Sequence, residues 1–305
     1  MKFLRLAVVV LVAVVINMTA STGFTPVVEV SANGRTVDSP MPFLENRYET
    51  DHFVLKWTNR SSHSEDNIGD RRIITDTADY LEIAWGKYLS LFGRKPYMAP
   101  GRDKIEVVFR DMDCYGVSDP PDGPIQFNSS AWVNNSGIRQ PTSAHELFHK
   151  LQYAYGYKTR WKPKEPYMWF TEGTAAWSEV FVWGRVSRTC KADTIFRDTR
   201  LGLYQADDMA MPFWIFCVKG NHRDQNNEFM VKLLEKCEQS RGDIRLALNE
   251  VIRESYGSVD DFFKSFARDR NNGFWADTCG TPYSCILGPD GKDLVKEVRD
   301  MQKRN

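Results

Sequence analysis

The chain contains 305 residues, of which 42% are hydrophobic and 26% are charged. Apolar side chains in that proportion can form a sizeable core, which excludes a disordered or low-complexity protein. Forty lysines and arginines balance forty aspartates and glutamates, so the formal net charge is zero. A neutral chain lacks the basic surface expected of a general nucleic-acid binder or of a protein that binds anionic membranes.

Residues 1–21 have the order of a secretory signal peptide. Lys2 and Arg5 precede an apolar run of eleven residues at 6–16, and small residues follow this run. A span across a bilayer needs about 20 apolar residues, so the run is too short for a permanent anchor. We therefore expect a secreted protein, extracellular or periplasmic, with no membrane association after cleavage. Residues 22–50 then form an extended lead segment.

Strand and helix patterns alternate in the next part of the chain. Residues 52–57 and 104–110 are rich in β-forming side chains and predict two strands. Between them, apolar residues recur at three- and four-residue spacings over 70–92, which predicts a helix that Gly93 ends. Residues 125–133 predict a third, more polar strand at an edge of the sheet.

The pattern after Pro141 is mostly helical. Residues 142–157 have one broad apolar face, and a basic loop leads from them to a second helix near 169–182. Helical spacing also recurs in three segments separated by glycines, at residues 227–237, 242–255 and 259–268.

This order of elements predicts an α+β fold with two lobes. We expect residues 51–157 to form an N-terminal lobe with a small sheet and two helices. Residues 158–270 then form a helical C-terminal lobe, and residues 271–305 form a tail. We expect a cleft between the lobes, since ligand sites commonly lie in such clefts.

Six cysteines occur without any C-x-x-C pair: Cys114, Cys190, Cys217, Cys237, Cys279 and Cys285. In an exported protein, this even number favours disulfide bonds over a zinc–thiolate site. Cys279 and Cys285 flank a Gly-Thr-Pro-Tyr-Ser turn. We predict a short disulfide loop between these two residues in the C-terminal tail.

The segment His145-Glu146-Leu147-Phe148-His149 is an H-E-x-x-H motif in a predicted helix. Four residues advance a helix by about 400°, so the two imidazoles lie on one face, where both can reach one zinc ion. Glu146 lies on the neighbouring strip of the helix. From there its carboxylate can contact a water at the zinc without being a ligand, as a general base requires.

Two other interpretations of this motif stay open. Ser143-x-x-Glu146 fits a capping box, in which the glutamate would satisfy a backbone donor at the helix start. Pro141 offers a different start, and a helix that begins nearer Gln140 would leave Glu146 available for catalysis. The two histidines are also compatible with an ordinary helix surface.

A zinc ion held by two histidines needs a third protein ligand and an open fourth position. The predicted helix Trp-Phe-Thr-Glu-Gly-Thr-Ala-Ala-Trp begins at 169 and carries Glu172 and, seven residues further on, Glu179. Twenty-two residues separate His149 from Glu172. This combination resembles the gluzincin group of zinc metallopeptidases, and especially secreted bacterial members. The resemblance covers residues 142–179. It implies a zincin-like fold, Zn²⁺ as the cofactor, and Glu172 as the third ligand beside His145 and His149.

Three further residues compete with Glu172 for the role of third ligand. Glu165 lies between prolines in a Lys-Pro-Lys-Glu-Pro loop, which favours a solvated turn. Glu179 corresponds to a downstream acidic residue in the gluzincins, and we expect it to support the site from outside the ligand set. His222 is a third histidine, but the motif lacks the following Gly-x-x-His of all-histidine zincins.

These features predict a secreted zinc-dependent peptidase that acts on peptide or protein substrates. Zinc would lower the pKa of its bound water, and Glu146 would pass the proton of that water to the leaving amine. The strand predicted at 125–133 would align an extended substrate through its backbone. The alternative is an exported zinc-containing binding or adhesion protein without turnover, against which the intact Glu146 argues. A site for non-peptide amides or esters is a third possibility.

A further group must stabilise the oxyanion that develops during hydrolysis. Tyr204 precedes an apolar helix predicted at 211–218, and the gluzincin resemblance implies a phenol on the downstream lobe. We therefore predict Tyr204 as a catalytic residue, with Tyr256 and His222 as rivals. A packing role is also compatible with a partly buried tyrosine.

Overall fold

A computed structural model describes residues 41–161, 168–184, 214, 217–218, 227–258 and 262. The predicted signal peptide, the predicted tail and most of the helix predicted at 259–268 lie outside the described residues. The predicted α+β class is confirmed, because a five-stranded sheet is combined with helices. Among the helices of the described part, none combines the length and apolar character that crossing a bilayer requires.

The elements are numbered over the described residues. The strands are β1 (Asn46–Glu49), β2 (Phe53–Trp57), β3 (Ile105–Arg110), β4 (Gly116–Val117) and β5 (Ile125–Asn128). The helices are α1 (Arg71–Phe92), α2 (Ser129–Asn134), α3 (Ser136–Ala154), α4 (Met168–Trp183), α5 (Glu228–Gln239) and α6 (Ile244–Tyr256), with a short 3₁₀ turn at Ser64–Asp66.

The sheet has the strand order β1-β2-β3-β5-β4. Its three central strands are parallel, and the two outer strands are antiparallel to their neighbours. β1 lies in the segment that we assigned to the extended lead, and it pairs with β2 from Asn46 opposite Trp57. Parallel neighbours need a crossover connection, which α1 provides between β2 and β3.

The helix predicted at 70–92 is confirmed as α1, and local signals set both of its ends. Asp70 is the N-cap, where its side chain accepts a hydrogen bond from the backbone N–H of Arg72. Gly93 follows the last turn with a φ of 61°, a left-handed conformation that glycine adopts without steric cost. The face between these ends packs into the core through Ile74, Leu81 and other buried residues.

The prediction of one edge strand over 125–133 is wrong in two respects. β5 ends at Asn128, whose side chain accepts from the backbone N–H of Ala131 and so begins the short helix α2. Asparagine is among the strongest N-cap residues, and here capping outweighs the strand preference of the following residues. β5 also lies inside the sheet, because β4 pairs with its outer side and forms the edge.

Helix α3 begins at Ser136, six residues before the predicted start at Thr142. The N-cap is Asn135, whose side chain accepts from the N–H of Gly137, and Pro141 lies inside the helix. Pro141 is the sixth residue of α3, so it removes the hydrogen bond that a backbone N–H there would make to the carbonyl of Gly137. The helix nevertheless continues through it.

Helices α1, α3 and α4 share a core in which aromatic rings dominate. Tyr88 of α1 stands at their junction, where its hydroxyl donates to the carbonyl of Ala144 at 2.8 Å and lies 2.9 Å from Oγ of Ser178. Its ring contacts Phe148 edge to face at 5.5 Å between centroids. This packing holds the H-E-x-x-H helix against α4, the helix that carries Glu172.

Two cysteines lie in the described part of the C-terminal region. Cys217 and Cys237 are buried and have free thiols, so the expectation of disulfide bonds does not extend to this pair. Burial raises the pKa of both thiols well above the usual value. The predicted partners Cys279 and Cys285 lie outside the described residues.

Candidate metal centre

Three predicted ligands meet at the interface of α3 and α4. One ligand atom each from His145, His149 and Glu172 lies within 4.8 Å of the other two. Oε2 of Glu172 is 3.1 Å from Nε2 of His145 and 3.4 Å from Nε2 of His149. This His-His-Glu group can hold a metal ion.

The local structure of α3 presents the two imidazoles side by side. Their centroids are 4.9 Å apart, as expected for residues one turn apart on a helix, and their planes differ by 76°. Ser143 lies in the helix interior, where its hydroxyl donates to the carbonyl of Arg139 at 2.6 Å. The capping-box interpretation is therefore wrong, and Glu146 has no capping role.

The carboxylate of Glu172 and the two imidazoles stabilise one another's charged forms. Burial by itself would raise the pKa of Glu172, but the two imidazoles outweigh burial and hold this pKa well below its usual value. Burial would lower the pKa of His145, but its hydrogen bonds to Glu172 and Glu179 raise that pKa well above the usual value. A metal ion held by these two histidines would displace one proton from each protonated imidazole, since only a neutral imidazole is a ligand.

Each histidine has a second polar partner on its other ring nitrogen. Oε1 of Glu179 lies 2.8 Å from Nδ1 of His145, and Oε1 of Gln152 lies 2.9 Å from Nδ1 of His149. Glu179, which competed with Glu172 for the role of third ligand, thus contacts the nitrogen on the opposite side of the ring. Such outer contacts fix the orientation of ligating imidazoles in metal sites.

The carboxyl group of Glu146 is buried beside this group without belonging to it. The residue is 4% exposed, and its Oε2 atom has no hydrogen-bond partner within the described part of the protein. Burial raises the pKa of this carboxyl, and the neighbouring imidazoles offset only part of that effect. β4 runs past the side chain, with the backbone of Gly116 directly against it. A carboxyl whose pKa is raised above its usual value suits a group that accepts and returns a proton.

Lys150 connects the α3 helix to the loop after β4. The residue is almost fully buried, and its ammonium donates to the carbonyls of Pro121 at 2.8 Å and Gly123 at 2.7 Å. Burial lowers the pKa of this lysine to about 8. Ser118 of the same loop donates to the carbonyl of Glu146 at 2.7 Å. These contacts hold the edge of the sheet against the helix that carries the histidines.

Sequence reasoning missed Gln152, Gly116 and Lys150. Each is a common residue type without a motif, and its contacts join segments that are distant along the chain. A lysine and a glutamine in the apolar stretch after His149 were the available signal, because polar side chains rarely lie on a buried helix face unless they are bonded.

The predicted residues Tyr204, Glu165 and His222 lie outside the described residues. Of the candidates for oxyanion stabilisation, Tyr256 is described, and its hydroxyl donates to the carbonyl of Cys217 at 3.0 Å. The Tyr256 hydroxyl therefore donates to a backbone carbonyl near the C-terminal helices and not to a group of the candidate metal centre.

Comparison of the sequence with models of known protein families and with curated proteins finds no match. The functional argument therefore depends on the side chains of the site.

Proposed function

We propose that this protein is a secreted zinc-dependent peptidase that hydrolyses peptide bonds. The observation that carries the proposal is the convergence of His145, His149 and Glu172 beside the buried Glu146. Two imidazole nitrogens and one carboxylate oxygen form a donor set that suits zinc and leaves a coordination position for water. The resemblance to gluzincins supports the peptidase activity. The apolar N-terminal run supports secretion.

Zinc in such a site lowers the pKa of water and polarises the carbonyl of the substrate. Glu146 is the proton carrier of the proposed reaction. Its Oε2 atom has no hydrogen-bond partner among the described residues, and the pKa of its carboxyl is raised. Both features equip it to take a proton from water and deliver it to the leaving amine. His145, His149 and Glu172 would hold the metal, with Glu179 and Gln152 against the outer nitrogens of the histidines.

A peptide substrate would lie along β4 and not along the strand first predicted for this role. β4 is the edge of the sheet, and Gly116 places it directly against the Glu146 carboxyl. An extended peptide can form backbone hydrogen bonds with an exposed strand edge. A peptide bound to β4 in this way would place its carbonyl groups next to Glu146 and the candidate metal ligands. In this proposal the substrate lies in a zincin-like cleft, and the C-terminal lobe forms the wall opposite β4.

The test compares metal content and peptide cleavage in the mature protein and in Glu146→Gln. We expect one zinc per chain in both proteins, and turnover lower by about 10²- to 10⁴-fold in the variant. Glu106→Gln is the matched control, because Glu106 pairs with Lys56 on the sheet surface, and it should keep full activity.

Loss of zinc in Glu146→Gln would contradict the role of a proton carrier. Zinc binding by the unaltered protein without cleavage of any peptide in a broad library would favour the binding or adhesion protein instead. Cleavage of amide or ester substrates alone would assign the site to non-peptide bonds.

A further inference from the structure

Gln152 contacts both helices of the candidate metal centre. It is fully buried on α3, one turn after the second histidine of the motif. Its Oε1 atom lies 2.9 Å from Nδ1 of His149. Its Nε2 atom donates to the carbonyl of Thr171 and to Oγ1 of Thr174, both at 2.9 Å on α4. All polar atoms of this amide therefore have partners.

The partners on α4 determine which way the amide points. A carbonyl oxygen such as that of Thr171 can only accept. The hydroxyl of Thr174 uses its proton on the carbonyl of Phe170 at 2.7 Å, so it too accepts from Gln152. The amide NH₂ group must then face α4, which leaves the amide oxygen facing His149.

An amide oxygen at Nδ1 requires that this nitrogen carries the proton. In the neutral imidazole of His149, the lone pair is then on Nε2, the nitrogen that faces Glu172 at 3.4 Å. A metal ion binds through that lone pair. Gln152 thus selects the tautomer in which His149 is ready to be a ligand.

The same amide also restrains the third predicted ligand. Thr171 directly precedes Glu172, so the bond from Gln152 fixes the α4 backbone at the point where the Glu172 side chain begins. We propose that Gln152 is a positioning residue of the metal centre, which sets the tautomer of His149 and couples it to the helix of Glu172. This inference rests on the proposed zinc site.

The first test measures Zn²⁺ affinity by competition with a chelating dye. Gln152→Met keeps the length of the side chain and removes all three hydrogen bonds, so we expect affinity lower by about ten- to a hundredfold. Thr77→Val is the matched control, because it removes a buried hydroxyl between α1 and α2 that contacts neither the ligands nor the residues next to them. Its Zn²⁺ affinity should be unchanged.

The second test observes the ring protons of His149 by NMR in the zinc-loaded, ¹⁵N-labelled protein. We expect a slowly exchanging Nδ1–H signal in the unaltered protein and its loss by solvent exchange in Gln152→Met. Gln152→Glu keeps an acceptor at this position and should keep the signal. If Gln152→Met does not fold, the Nδ1–H signal of Gln152→Glu is the test. Loss of the signal in that variant overturns the inference.

The outcomes separate this inference from the proposed function. If the unaltered protein binds no Zn²⁺, both are overturned together. If it binds Zn²⁺ and Gln152→Met binds equally well with the same Nδ1–H signal, the positioning role alone is overturned.

Discussion

The carboxyl group of Glu146 occupies the space in which a side chain at residue 116 would begin. A Cβ atom on Gly116 would lie 2.6 Å from Cγ and 2.7 Å from Oε1 of Glu146, far inside the contact distance of about 3.5 Å or more between non-bonded heavy atoms. The φ angle of Gly116 is not in the left-handed region. Space, and not backbone conformation, therefore excludes a Cβ at this position of the sheet edge as long as the Glu146 carboxyl keeps its place.

Gly116→Ala should displace the Glu146 carboxyl and lower turnover by about 10²-fold, because a general base acts only from its correct position. Zinc content should stay unchanged, since neither residue is a predicted ligand. The measurements are kcat on a peptide substrate and metal analysis. Gly86→Ala in α1 is the control, because a Cβ there meets open space. Full activity in Gly116→Ala would show that a side chain at residue 116 does not displace the Glu146 carboxyl.

Glu172→Ala should reduce zinc affinity by more than a hundredfold, because Oε2 of Glu172 faces Nε2 of both histidines. Glu179→Gln should reduce it by only about ten- to a hundredfold, since Glu179 contacts the outer nitrogen of His145. Zinc titration of the two metal-free variants gives the comparison. The reverse ranking would show that Glu179 is the ligand.

Asn135→Ala should destabilise the protein by about 1 kcal/mol, because it removes the N-cap of α3. Ser143→Ala should cost less, because the hydroxyl of Ser143 bonds to a carbonyl inside the helix and caps no backbone donor. Urea denaturation of both variants measures the two changes. A larger loss in Ser143→Ala would restore the capping-box interpretation.

Cys217 and Cys237 should resist iodoacetamide in the native protein and react completely after unfolding. Both thiols are buried with raised pKa values, so the reactive thiolate is scarce and inaccessible. Peptide mass mapping before and after denaturation locates the modified residues. Recovery of either cysteine in a disulfide-linked peptide would contradict the free thiols of this structure.

Local signals in the sequence were sufficient for several elements. The ends of α1 follow from Asp70 and Gly93, because capping depends on groups within one helical turn. The shared face of His145 and His149 follows from helical periodicity alone. Competition between local signals explains two of the errors, since Pro141 is also a common helix start and Asn128 is a strong N-cap within a β-forming segment.

Contacts between distant segments required the tertiary structure. The sequence by itself determined that two histidines lie one turn apart and that α4 carries two glutamates. Only the packing of α3 on α4 decided that Glu172 faces Nε2 of both histidines while Glu179 takes the outer nitrogen of His145. The same packing placed Gln152 between the helices, and the pairing of β4 with β5 placed Gly116 against Glu146. Helical spacing is a local property of the backbone, whereas the rotation and separation of two packed helices depend on every side chain in their interface.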